Sequence, residues 1–115
     1  MTPANYDMPD HYKGDTFDSI TFTITEDAIP VDLTGASIKI DFRYGKDTGP
    51  LELSMAIGSG LTVTDAAAGV FKIDSYINDW KAGFYVFDAE ITFSAEVIRT
   101  YFKGKITVIQ DVRDA

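Results

Sequence analysis

Apolar and polar side chains alternate with a two-residue period through most of this 115-residue chain. The clearest stretch is SIKIDFRY, residues 37–44, in which Ile38, Ile40 and Phe42 share one parity while Lys39 and other polar residues share the other. Successive side chains of a β-strand point to opposite faces, so the stretch predicts a strand between core and solvent. This two-residue alternation favours an all-β fold.

Six further stretches have the same rhythm, with Gly, Asp and Pro between them. The predicted strands cover residues 20–25, 37–44, 51–57, 61–63, 70–73, 84–93 and 97–109. Short strands at spacings of about ten residues are typical of an antiparallel immunoglobulin-like β-sandwich, and a small barrel with the same strand count would give a similar pattern. We expect an all-β, antiparallel immunoglobulin-like sandwich of about seven strands.

Two features interrupt the alternation. Ser75 as an N-cap, an i,i+3 pair of apolar residues and Gly83 as a stop predict one short helical turn over residues 76–82. In the last strand the apolar parity changes from odd at Tyr101 to even at Ile106, which predicts a bulge near Gly104.

Domain organisation follows from where the alternation begins. Residues 1–14 have little apolar periodicity, so we expect a loose N-terminal arm, a single domain over residues 15–112 and a tail over 113–115. With 45% hydrophobic residues and no Cys, the chain can fill a core without disulfides and fits a reducing cytoplasm.

Charge and hydropathy disfavour two classes of partner. A net charge of −8 repels phosphate backbones, so nucleic acid is not expected as a partner. Apolar runs stay well short of the roughly 20 residues that span a bilayer, and the first residues lack the basic and apolar regions of a signal peptide, so no membrane association or export is expected.

The stretch PVDLTG is the most motif-like in the chain, and each residue has a structural reason to be there. Pro30 presets φ, Asp32 can accept bonds from amides ahead of it, and Thr34 adds a hydroxyl. Leu33 can dock inward, and Gly35 permits a left-handed turn. We predict a structural loop rather than a reactive one.

Catalytic groups are sparse. The sole histidine, His11, falls in the predicted arm, where a Ser-His-Asp triad would lack support. Glu52 and Glu90 are the candidates for a glycosidase pair, and their alternative role is to solubilise a sheet face. We predict no enzymatic activity and no cofactor.

Binding of calcium or glycans is the alternative. Loop carboxylates could supply calcium ligands, although no D-x-D-x-D-G spacing occurs. Three aromatic residues could present a stacking platform because they depart from the inward parity. The candidates are Asp15, Asp18, Asp65 and Asp74 for calcium, and Tyr6, Phe84 and Tyr101 for stacking.

An ordered series of motifs carries a family resemblance: GDTF at 14–17, PVDLTGASIKIDFR at 30–43, TDAAAGVFKI at 64–73, AGFYVFDAEITF at 82–93 and RTYFKGKITVIQDV at 99–112. Together they resemble small immunoglobulin-like domains encoded by phages and prophages, similar to the N-terminal domain of the siphophage baseplate upper protein. The resemblance implies a non-enzymatic virion structural protein of the tail or baseplate, made in the bacterial cytoplasm. It would dock to other virion proteins and could form a homo-oligomer, with free sheet edges as the docking surface. The alternative is a host-surface glycan-binding module, with or without calcium.

Overall fold

The computed structural model describes residues 4–78, 80–93 and 97–110, and within these ranges every regular element is a β-strand. The strands are β1 (Ala4–Asn5), β2 (His11–Tyr12), β3 (Thr16–Phe17), β4 (Ile20–Thr23), β5 (Thr25–Glu26), β6 (Ile29–Pro30), β7 (Ser37–Tyr44), β8 (Leu51–Ile57), β9 (Gly60–Asp65), β10 (Val70–Ile73), β11 (Tyr76–Ile77), β12 (Gly83–Thr92) and β13 (Ile98–Ile109). No helix capable of crossing a membrane occurs in the described part of the chain.

The seven predicted strands correspond to β4, β7, β8, β9, β10, β12 and β13. They join in one nine-stranded sheet with the order β1-β13-β12-β7-β8-β9-β10-β4, and β2 also pairs with β13. The sheet coils into a half-barrel. Its two ends meet on the inside of the curve, where the ring of Phe22 in β4 stacks on the ring of Phe102 in β13 at 4.6 Å. The all-β prediction is confirmed.

The expected antiparallel immunoglobulin-like sandwich is not confirmed. The β8–β9, β1–β13 and β2–β13 pairs are parallel, so the sheet is mixed. A tight corner over residues 57–60 makes the β8–β9 pairing parallel, with the two strands touching only through Ala56–Gly60 and Ile57–Leu61. Leu51 and Ile57 of β8 are exposed despite their apolar parity. Ile57 lies at this corner, whereas a register shift in the β7–β8 pairing sets Leu51 opposite the outward residue Arg43.

The centre of the sheet is β7, β12 and β13, where alternation predicts burial well. Ile38, Ile40 and Phe42 of β7 lie opposite Ile91, Ala89 and Phe87 of β12, and all six side chains are buried. Their outward neighbours are polar or half-exposed. This ladder joins the part of the half-barrel that ends at β1 to the part that ends at β4.

The predicted helical turn is absent. Tyr76–Ile77 instead pairs antiparallel with Thr16–Phe17, and the Tyr76 ring stacks on Phe17 at 5.1 Å. The main chain of Asn78 bonds across to Gly14 and Asp15 rather than along a helix. Residue 79, inside the predicted turn, lies outside the described residues. Aromatic stacking and main-chain hydrogen bonds to residues 14–17 therefore override the weak helix signal.

The described part of the predicted arm is paired rather than loose. Both β1 and β2 lie parallel to β13, and the amides of Tyr6 and Met8 donate to the carbonyls of Lys103 and Lys105. Met8 is buried in the core. Pairing with the edge of β13 supplies the order that the arm's own sequence does not indicate, while the predicted tail at 113–115 lies outside the described residues.

The bulge in the last strand falls at Tyr101, not at Gly104. Ala89 faces Phe102 whereas Glu90 faces Thr100, so Tyr101 is the extra residue that changes the buried parity. Gly104 has a different purpose: a β-carbon there would overlap the carbonyl oxygen of Tyr6. Its missing side chain lets the arm lie against β13.

A two-residue turn closes the β5–β6 hairpin. Its central residues, Asp27 and Ala28, have φ values of 52° and 65°. Positive φ at both positions matches the right-handed strand twist, and Gly is the residue that tolerates it best. Ala28 therefore holds a strained backbone at the tip of this hairpin.

We expect Gly104→Ala to lower the free energy of unfolding by about 2 kcal/mol, because the methyl group displaces the arm from β13. Urea denaturation would measure the loss. In a variant that lacks residues 1–13 the same substitution should cost much less. An equal loss in both backgrounds would contradict arm docking at Gly104.

We expect Ala28→Gly to raise the free energy of unfolding by about 1 kcal/mol, since Gly adopts positive φ without the clash of a β-carbon. Thermal and urea denaturation would measure the gain. Ala67→Gly is the matched control, because Ala67 lies in an exposed turn with no positive φ. A gain of the same size from the control would contradict the strain at Ala28.

Candidate functional site

The two ends of the coiled sheet approach each other without pairing and leave a groove between them. We call this groove the seam; its volume is about 410 Å³. It is lined by Ala4, Asn5, Tyr6, Phe22, Thr23, Ile24, Thr25, Tyr101 and Phe102. The lining comes from β1 and β13 on one side and from β4 and β5 on the other. It is therefore where the half-barrel remains open.

Aromatic rings form the floor of the seam. Phe22 stacks on Phe71 at 5.4 Å and on Phe102 at 4.6 Å, and the edge of the Tyr6 ring meets Phe22 at 5.5 Å. Offset and edge-on pairs at these distances are favourable beyond the apolar area that they bury. The two ends of the sheet are thus joined through side chains, while their main chains stay apart.

One wall of the seam is an unpaired strand edge. The amide of Ile24 donates to Gly69 and its carbonyl accepts from Val31, so Ile24 turns both groups toward β10 and β6. In an extended strand the neighbouring residues turn theirs the other way. Thr23 and Thr25 therefore present main-chain groups to the seam, and by the same alternation Thr21 turns its main-chain groups to the same edge of β4.

We call the outward main chain of Thr21, Thr23 and Thr25 the threonine edge. Among the described strands, β4 ends the sheet order, and β5 pairs with β6 alone. The three side chains are exposed and uncharged. Donors and acceptors along this edge are available for a further strand.

Tyr101 and Glu26 hold the β5–β6 hairpin beside the seam. The Tyr101 hydroxyl donates to Glu26 Oε1 at 3.3 Å. Burial raises the pKa of Tyr101, and the negative charge of Glu26 raises it further. Tyr101 consequently remains a protonated donor at neutral pH. The charge of Glu26 lies at this end of the groove, and the positive charge of Arg99 also acts on Tyr101 and lowers its pKa.

The predicted structural loop connects β6 to β7. Asp32 Oδ1 accepts bonds from the Thr34 amide at 2.9 Å and from the Thr34 hydroxyl at 2.6 Å. These bonds hold the pKa of Asp32 below its usual range. Gly35 follows with φ of 75° and completes the turn into β7.

The other two residues of the loop attach it to its neighbours. Pro30 lies opposite Thr25 in the β5–β6 hairpin. Leu33 is 2% exposed, and its amide donates to the carbonyl of Ala66 in the turn between β9 and β10. The loop thus connects the β5–β6 hairpin to the turn between β9 and β10, but it does not line the seam. Its structural rather than reactive role stays a prediction.

The structure does not bring the candidate catalytic residues together. His11 is half-buried on β2, where Nε2 donates to the Asp15 carbonyl at 3.0 Å and the ring packs against Phe17. Glu52 and Glu90 occupy β8 and β12, separated by β7 and offset by four residues, which places them roughly 15 Å apart. That exceeds the spacing of paired glycosidase carboxylates.

The calcium candidates are likewise dispersed. Asp65 Oδ1 accepts from the Ala68 amide at 3.3 Å, and Asp74 Oδ1 accepts from the Thr62 hydroxyl at 2.8 Å. Over residues 4–78, 80–93 and 97–110, no three His, Asp or Glu side chains are grouped as metal ligands would be. Asp15 and Asp18 belong to the β2–β4 region, away from Asp65.

The aromatic candidates divide between two places. Tyr6 and Tyr101 line the seam, although Tyr101 is only 5% exposed, while Tyr6 is 37% exposed. Phe84 lies on the outer face of β12 beneath Lys105. Only Tyr6 therefore offers an exposed ring at the seam.

A second, acidic pocket of about 260 Å³ lies on the outer face of β7 and β12. Asp41 and Asp88 sit directly opposite each other there. Asp41 accepts from the Ser54 hydroxyl at 2.6 Å and pairs with Lys39 at 3.5 Å. Burial raises the pKa of Asp88, and the charges of Asp41 and Glu90 raise it further.

We expect Asp88→Asn to raise the free energy of unfolding by about 0.5 kcal/mol at pH 7 and to give no gain at pH 3. A carboxyl whose pKa is raised by folding stabilises the fold below its unfolded pKa, and that contribution is lost as pH rises through the folded pKa. Urea titrations at both pH values would measure the difference. Asp18→Asn, an exposed aspartate outside the pocket, is the control; an equal effect of Asp88→Asn at both pH values would contradict the repulsion.

Comparison with known proteins yields structural neighbours alone, since no protein-family model and no curated protein matches the sequence. CopC from Methylosinus trichosporium OB3b is 16% identical with a TM-score of 0.49, covering 88% of this chain and 84% of that one. Extracellular domains 3–5 of Drosophila OTK are 17% identical with a TM-score of 0.41. That alignment covers 94% of this chain but 33% of the OTK chain. Identities this low say nothing about what the chain binds.

Proposed function

We propose that the chain is a non-enzymatic structural protein of a phage or prophage virion, of the tail or baseplate type. It joins other virion proteins by adding one of their strands to its threonine edge. The immunoglobulin-like assignment of the half-barrel belongs to the same proposal, because it rests on the motif series from residue 14 to residue 112. The single observation that carries the proposal is the open threonine edge, at which the side chains of Thr21, Thr23 and Thr25 are exposed and uncharged.

Proteins usually protect a sheet edge with charges, Pro or a covering element, because free main-chain groups there pair with other chains. The stretch ITFTIT, residues 20–25, contains none of these protections. By comparison, β8, which pairs with β9 only through Ala56 and Ile57, follows Pro50 and carries Glu52. In a chain with a net charge of −8, an edge this free of charge is best explained by a partner that covers it.

Other features support a scaffold role. His11 and the carboxylates of Asp65 and Asp74 are engaged in local hydrogen bonds, and the paired-carboxylate candidates lie too far apart. Nucleic acid remains an unfavourable partner for so acidic a chain, and we propose no membrane partner. The protein would be located in the virion after synthesis in the bacterial cytoplasm.

A second candidate function is binding of a host-surface glycan. The partly exposed ring of Tyr6 stands beside the polar groups of Asn5 and Thr23 in the seam, and sugars bind such combinations of a ring face and hydrogen-bonding groups. Glycan-array binding that disappears in Tyr6→Ala would favour this function over assembly. Loss of glycan binding when a chelator is added would show that the binding also needs calcium.

The virion role can be tested on particles released from the producing bacterium and purified on a density gradient. We expect the chain to co-sediment with tails and an antibody against it to label the tail or its tip in electron micrographs. Thr23→Pro should be lost from the particles, since Pro removes the outward amide of Thr23 but leaves the bonds to β10.

The matched control is Thr23→Val, which keeps the amide and the β-branched shape and should be incorporated normally. Recovery of the wild-type chain exclusively in the particle-free fraction would contradict the proposed function.

A further inference from the structure

Both walls of the seam present unpaired main-chain groups, not one wall alone. On the β1 side, Tyr6 and Met8 turn their amides to β13, so the alternate residue Asn5 turns its amide away from β13 and lines the seam. On the other side stands the threonine edge. A strand in this position would have hydrogen-bonding partners along both of its edges.

We propose that the seam receives one extended segment of another polypeptide, which pairs with β4 and β5 on one side and with β1 on the other and so closes the half-barrel. This rests on the proposed function and deepens it by specifying the site, direction and chemistry of the added strand. The structure supplies three further constraints on the occupant.

The first constraint is direction. Following the pairings around the sheet from β1 to β4, the two walls run in opposite directions. An added strand must therefore be antiparallel to one wall and parallel to the other. The β4–β5 wall is longer, and antiparallel pairing is the more stable kind. The segment consequently runs antiparallel to β4, with its N-terminal end beside Glu26.

The second constraint is side-chain chemistry. All nine residues that line the seam are uncharged, and most of them are apolar or aromatic. A cavity of about 150 Å³ can hold a benzene ring, so a groove of about 410 Å³ has room for two ring-sized or branched side chains. The segment should therefore place apolar residues at alternate positions facing Phe22 and Phe102.

The third constraint is charge. Glu26 and Asp27 lie at the hairpin end of the seam, and the whole chain carries a net charge of −8. Acidic residues in the segment would be repelled, whereas a Lys or Arg at its N-terminal end would meet Glu26. The expected occupant is a strand with alternating apolar residues, a basic N-terminal end and no Asp or Glu.

A second copy of this chain does not satisfy the geometry. Its β4 is already paired with β10, so it has one free edge, whereas a strand between two walls needs both edges free. A folded sheet would also carry the bulk of its neighbouring strands into the groove. The occupant is therefore a segment without sheet partners of its own.

A display library of random peptides of about nine residues, long enough to span β4 and β5, would test the proposal. The library is panned on the immobilised full chain, and the enriched peptides are then measured on the wild-type chain, on Thr23→Pro and on Thr23→Val. We expect enrichment of peptides with alternating apolar residues, an N-terminal Lys or Arg and no acidic residue. Binding should weaken at least about tenfold on Thr23→Pro and stay unchanged on Thr23→Val.

Two further measurements keep the result independent of variant folding. The enriched peptide, synthesised with N-methyl groups on alternate amides, should lose binding in the register that removes its bonds to the threonine edge. Hydrogen exchange should slow at the amides of Thr21, Thr23, Thr25 and Asn5 when the unmodified peptide is bound.

Absence of enrichment, equal binding to Thr23→Pro, or protection confined to β8 or β9 would overturn the proposal. Protection of the threonine edge by dimerisation of the chain, seen by light scattering without peptide, would overturn it as well. Normal incorporation of Thr23→Pro into particles would be consistent with the virion role but would contradict strand addition at the threonine edge. Peptide binding by a chain that is absent from particles would support the strand-addition site but contradict the virion role.

Discussion

The contact between Phe22 and Phe102 holds the two ends of the sheet together. Main-chain pairing organises everything from β1 around to β4, but it does not bridge the last gap. Stacked rings bridge it instead, with Phe71 and Tyr6 on either side of Phe22. Ring stacking excludes water without satisfying any amide or carbonyl. Side-chain packing therefore closes the core where main-chain hydrogen bonding leaves the sheet open, and the seam lies at this gap.

Much of the fold can be predicted from alternation, and the misses have physical causes. Ile38, Ile40 and Phe42 are buried as their parity predicts, because β7 has a strand on each side. Leu51 has the same kind of pattern but is exposed, because a register shift between β7 and β8 sets it opposite the outward residue Arg43. Periodicity assigns faces; it does not say whether a neighbour covers them. The helix signal around Trp80 failed for a related reason, since stacking partners distant in sequence decided the local conformation.

The candidate site was less predictable. Docking at a free sheet edge is a prediction that does not say which edge is used, and ITFTIT can be recognised as an unprotected edge only after its position at the end of the sheet is known. Asn5 and Tyr6 contribute a wall, although their stretch has no strand pattern of its own. Their position depends on β13, almost a hundred residues later, and on the absence of a side chain at Gly104. Non-local pairing of this kind leaves little trace in local sequence.

The pairing of β1 and β2 with β13 also constrains how the protein folds during synthesis. Residues 4–12 leave the ribosome well before the strand that they pair with, which is made almost a hundred residues later. Until then, the buried side chain of Met8 has no core to enter and the outer edge of the nascent sheet stays open. Folding of this half-barrel is consequently completed after translation of β13, and contacts of such long sequence separation form slowly.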